Sequence, residues 1–186
     1  MPSKPQAPTM STEILKALAN PLRRQVWNEV SELRYARAAD LAQRLGTPAN
    51  TLSFHLRVLA EAGLIEEAPE KARDRRDRVW KPTRGALSLG SPDNPVTDIA
   101  LGDAVLAGTV ADHQRLLTRV ADWALKYATG EDPVERGTLA GYTLRLSRER
   151  FSELVERLDG VIDEYRDADE EGHTWRLSVI AASDEI

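Results

Sequence analysis

The chain has 186 residues, 41% of them hydrophobic and 30% charged, enough for one large domain or two small ones around buried cores. It contains no cysteine, which excludes disulfides, thiolate metal sites and thiol nucleophiles together. The net charge of −5 is unevenly divided: residues 1–90 carry a balance of +5 and residues 91–186 a balance of −10, a split that suits a polyanionic partner for the first half alone.

Residues 1–10 are polar and Pro-rich, read as a disordered arm, and lack the apolar stretch of an export signal. No apolar run approaches the ~20 residues that span a bilayer, so a cytoplasmic protein without a membrane partner is expected. Ser11 is placed to cap a short helix bearing Ile14, Leu15, Leu18 and Ala19, which Asn20-Pro21 interrupts. A second helix over 21–33 puts Leu22, Val26, Val30 and Leu33 on one stripe, and Arg23 and Arg24 at its start are weaker candidates for backbone phosphate. A third, 38–45, turns Leu41, Ala42 and Leu45 inward and ends at Gly46 as a left-handed cap. Thr47 is expected to cap the fourth helix, with Pro48 as its first residue and Gly63 as its stop. Residues 64–68 and 78–83 then read as strands of a hairpin with a charged tip, and the Gly/Ser/Pro-rich stretch 85–95 as a linker.

The fourth helix poses a question, because Phe54 falls among polar residues. Placed at about 100° per residue, Leu52, Leu56 and Leu59 form a core stripe, while Asn50, Phe54, Arg57 and Glu61 point the opposite way. Ser53 lies on one flank, Thr51 on the other, and His55 at the edge of the core side. Asn and Arg are the side chains that read adenine and guanine edges in a major groove, and an aromatic beside them can meet a thymine methyl. Two helices joined by a tight turn containing glycine give the helix-turn-helix spacing. Asn50, Thr51, Ser53, Phe54, His55 and Arg57 are therefore the candidate base-facing residues. For Phe54 the alternative is packing against a neighbouring element; for His55 it is a hydrogen-bonded place at the core edge. The hairpin tip supplies Arg73, Arg75, Arg76 and Arg78 as candidate phosphate contacts, unless the interleaved Asp74 and Asp77 reduce them to local ion pairs. Arginine outnumbers lysine 20 to 5, which suits phosphate and guanine recognition.

The ordered segments "ILKALANPLRRQVWNEV", "AADLAQRLGTPANTLSFHLRVLAEAGLIEEA" and "RVWKPT" resemble the ArsR family of winged-helix transcriptional regulators over about residues 11–84. The resemblance implies a winged helix-turn-helix domain in a homodimer that binds a pseudo-palindromic operator on double-stranded DNA and represses or activates nearby genes. There are departures. Many members carry two histidines where this chain has Phe54 and His55, so its operator should differ. The cysteine pair of the metal-sensing members is replaced by "RAADLA", and His113 beside Asp112 lacks the second ligand pattern of another subgroup. No metal site and no cofactor are expected.

In the second half, Ile99, Leu106, Val110, Leu116, Leu117, Val120, Trp123 and Tyr127 mark the apolar side of a long helix over 96–127, expected to form most of a two-fold dimer interface. Residues 139–146 and 174–180 alternate as strands do, and flank a helix over 148–166 capped by Ser147. The expected fold class is thus mainly α with a small β component (α+β): a winged helix-turn-helix domain, the dimerisation helix, then a strand–helix–strand domain within 96–186. Trp123, Tyr127, Tyr142 and Trp175 are expected to pack in a core, with an aromatic pocket for a small apolar effector as the alternative. No catalytic constellation is present, so an enzyme is not expected; the reading to set against a DNA-binding regulator is a winged helix serving protein interaction without specific DNA binding.

Overall fold

The structure is a computed structural model describing residues 9–83, 88–166 and 172–186. The chain divides into two compact units, residues 1–114 and 115–186, with the boundary inside its longest helix.

In the first unit, punctuation in the sequence sets the helices. Ser11 accepts a hydrogen bond from the Ile14 amide and starts α1 (Thr12–Leu18). Asn20 Oδ1 accepts from the Arg23 amide at 3.0 Å, and Pro21 opens α2 (Pro21–Leu33) at the position where a missing N–H costs nothing. Asn20→Ala should therefore destabilise this unit by about 1 kcal/mol in a denaturant titration. Helix α3 (Ala38–Leu45) ends at Gly46, whose φ of 61° is the left-handed cap read from the sequence. Helix α4 (Ala49–Glu61) starts one residue later than expected. Pro48, not Thr47, occupies its cap, and the Thr47 hydroxyl donates instead to the Leu45 carbonyl. Pro48 has an extended ψ of 136° and so is not itself a helical residue.

Leu15, Leu18, Val26, Val30, Leu41, Leu52, Leu56 and Leu59 close into one core with Leu64, Ile65 and Trp80. Two strands complete the layer. β1 (Ile65–Glu67) pairs antiparallel with β2 (Trp80–Pro82) in the register Ile65↔Pro82, Glu66↔Lys81, Glu67↔Trp80. Ala36 adds a bridge on the other side of Trp80: each amide donates to the other's carbonyl at 2.9 Å. That bridge ties the segment between α2 and α3 to the hairpin. Leu89 and Val96 pack against the same core, and Thr9 bridges Ser88; residues 1–8 of the expected arm and 85–87 of the expected linker lie outside the described residues.

Helix α5 (Ile99–Ala128) begins three residues later than the apolar pattern suggests, because Asp98 Oδ1 accepts from the Leu101 amide and fixes the first turn there. Val105 enters the core of the first unit. Beside it, Arg24 of α2 is buried: its Nε donates to Asp112 at 2.7 Å, a terminal nitrogen to the Val105 carbonyl at 3.2 Å, and the other to Thr109 Oγ1 at 2.7 Å. Gly108 makes room, since a Cβ there would stand 3.0 Å from the Arg24 side chain. Arg24 is thus a structural tie and not a phosphate contact. Arg23 is also occupied, donating to the Ala17 and Lys16 carbonyls at the end of α1.

The second unit departs most from expectation. Ser147 caps α6 (Arg148–Tyr165) as read. Residues 139–146 and 174–180, however, are not strands: among the described residues neither enters a ladder. Alternation makes a segment compatible with a sheet, but a strand exists only with a partner to hydrogen-bond. Residues 132–137 instead fold back on the end of α5, where Trp123 Nε1 donates to the Val134 carbonyl at 3.1 Å.

Candidate nucleic-acid interface

Helix α4 is two-sided. Leu52, Leu56 and Leu59 are completely buried, while Asn50, Thr51, Ser53, Phe54 and Arg57 are exposed. The exposed side chains bond chiefly to their own helix: Asn50 Oδ1 accepts from the Thr51 amide, Ser53 Oγ donates to the Ala49 carbonyl, and Arg57 Nε donates to the Ser53 carbonyl at a long 3.3 Å. Phe54 is 53% exposed and touches the His55 ring edge-on at 5.5 Å.

His55 sits half-buried at the edge of the core. Its Nδ1 is buried with no hydrogen-bond partner among the described residues. Burial first, and then the positive charge of Arg23, hold its pKa below the ordinary histidine value, so the ring is neutral at pH 7.

The hairpin tip is built by its two aspartates. Asp74 Oδ1 accepts from the Arg76 amide at 2.7 Å and the Asp77 amide at 3.1 Å, closing a side-chain-capped turn. Asp77 accepts from the Arg73 amide and from Arg37 Nε, at 2.9 Å each. Those two bonds, the amide foremost, hold the Asp77 carboxyl below the ordinary carboxylate range. The acids therefore shape the loop backbone. Arg73, Arg75, Arg76 and Arg78 are exposed; Arg75 and Arg76 form no ion pair among the described residues, and Arg78 lies 3.4 Å from Glu67.

Sequence reasoning missed Arg37, the residue that fixes this tip in place. It spans from the start of α3 to Asp77 and also donates to the Lys71 carbonyl at 2.9 Å. The signal was present as an isolated arginine facing an acid in a loop, but 40 residues separate them.

Of the aromatic candidates in the second unit, Trp123 and Tyr127 lie together with ring centroids 5.1 Å apart. Tyr142 and Trp175 are exposed rather than packed in a core, and neither makes a ring contact among the described residues. Nor do any three His, Asp or Glu side chains among the described residues cluster as a metal ion would need. Among the same residues no helix is long and apolar enough to cross a membrane.

Residues 18–68 match the model of a family described as a helix-turn-helix domain. The matched span runs from the end of α1 to just past β1, and so contains the whole of α4 and the core beneath it. It supports a helix-turn-helix regulator that binds DNA. No curated protein matches the chain.

Proposed function

We propose that this chain is a homodimeric, sequence-specific transcriptional regulator of the ArsR-like winged-helix kind, acting on a pseudo-palindromic operator. The observation that carries the reading is the vacant face of α4: Asn50, Ser53, Phe54 and Arg57 are exposed on a helix whose opposite side is completely buried. The neighbours of Phe54 on that face are donors and acceptors suited to base edges, and its ring can meet a thymine methyl. In this reading α4 enters the major groove, and the arginines of the hairpin tip lie along phosphates or probe the adjacent minor groove. The net charge of −10 on residues 91–186 disfavours their approach to the duplex and leaves the basic half to face it. In the dimer, α5 forms the two-fold interface and the two α4 helices stand about one DNA turn apart, roughly 34 Å.

Electrostatic and base-reading residues should separate experimentally. Arg75→Ala should weaken binding to every DNA sequence alike and lower the slope of log affinity against log salt by about 1. Fluorescence anisotropy over a salt series checks this. A slope and affinity equal to those of the unchanged chain would remove the hairpin tip from the interface.

A further inference from the structure

From residue 115 to residue 186 no described residue is buried, although apolar residues recur there at regular intervals. Helix α6 buries none of its side chains. Tyr142 and Leu144, on one face of the alternating segment 139–146, are exposed, the first by 85%. Trp175 and Leu177, on one face of 174–180, are exposed too, the first by 64%. Ordering a chain costs conformational entropy that burial must offset. Here the end of α5 and α6 are formed, yet their apolar side chains are at best half-buried within the one chain.

We infer that the other half is a second copy of the same chain: residues 139–146 and 174–180 of one copy pair with those of the other in an exchanged sheet, and α6 lays its apolar stripe over it. Three observations identify this occupant. The first is size. Eighteen large apolar side chains between Leu117 and Ile186 are exposed. At roughly 80–100 Å² each they present on the order of 1,500 Å². A standard interface takes about 800 Å² from each partner, less than these side chains together supply. The supply is enough for the apolar interface of an obligate homodimer. The second is the backbone. Each alternating segment has one apolar face, and among the described residues no ladder; another strand satisfies both needs at once. A copy of the chain brings two such strands, related by the two-fold axis. The third is continuity. Leu106, Val110 and Leu117 are exposed along α5 at intervals of four and seven, the stripe on which the proposed two-fold dimer already rests.

The inference shares that dimer with the functional reading but none of its DNA contacts. Folding of residues 115–186 and association of two chains then become one event.

The test uses the full chain. In a sample made by refolding isotope-labelled and unlabelled chains together, filtered NMR spectra should show contacts between Tyr142 or Leu144 of one copy and Trp175 or Leu177 of the other. Amides of 139–146 and 174–180 should exchange slowly with deuterium. Leu144→Asp combined with Leu177→Asp should abolish that protection and weaken association at least tenfold in sedimentation, while the first unit still unfolds in one cooperative transition. Two results overturn the inference: contacts between these segments found only within a single labelled chain, or rapid exchange at both with cross-copy contacts confined to α5. DNA binding is measured on the same sample, so its failure defeats the functional reading and leaves the exchanged sheet standing.

Discussion

Asp112→Ala is expected to destabilise the first unit by about 3–5 kcal/mol, because it strands a buried guanidinium without its counter-charge. Arg24 and Asp112 are 8% and 7% exposed and meet at 2.7 Å. After the substitution Arg24 keeps the Val105 carbonyl and Thr109 Oγ1, which are neutral acceptors, and Asn28 Nδ2 loses the acceptor it holds at 3.2 Å. The loss should far exceed the strength of the pair itself, since most of it is the cost of an unpaired buried charge. Replacing both partners by apolar residues, Arg24→Met with Asp112→Leu, should recover much of it. Urea titration of the single and double variants measures the difference. A loss below about 1 kcal/mol in Asp112→Ala would show that the pair is effectively solvated.

Arg57→Ala is expected to cost about 1–3 kcal/mol of binding free energy on the preferred DNA sequence, roughly 5- to 150-fold in affinity, with binding to unrelated sequence nearly unchanged. The fold should not notice. Arg57 is exposed, and among the described residues its one side-chain hydrogen bond is the long contact to the Ser53 carbonyl of its own helix. Competition between a selected duplex and a scrambled one separates the two quantities. Equal losses on both would move Arg57 from base reading to phosphate contact.

What was legible in the sequence was local. Helices α1 to α4 announce themselves through Ser11, Asn20-Pro21, Gly46 and Gly63, each within a turn of the boundary it marks. The one slip among them, Thr47 for Pro48, is a contest between two adjacent cap candidates: Pro48 takes an extended ψ of 136° and the Thr47 hydroxyl bonds back to Leu45. The leucine stripe of α4 gave the vacant face directly, because a helical wheel needs no tertiary information. What was hidden depends on distant partners. Arg24 looks like Arg23, an arginine at a helix start, and only Asp112, 88 residues on, makes it a core residue. The Ala36 bridge is a single residue with no periodicity to betray it. The alternation of 139–146 and 174–180 was visible, but alternation specifies a face and not the strand that will pair with it.

In the proposed function the open side of α4 reads DNA sequence. Repeated selection of bound duplexes from a randomised library, using the full chain at low salt, tests it most directly. The expected result is enrichment of an inverted repeat whose half-sites are centred about one helical turn apart, lost in Arg57→Ala. A selected pool indistinguishable in sequence from the input would contradict it.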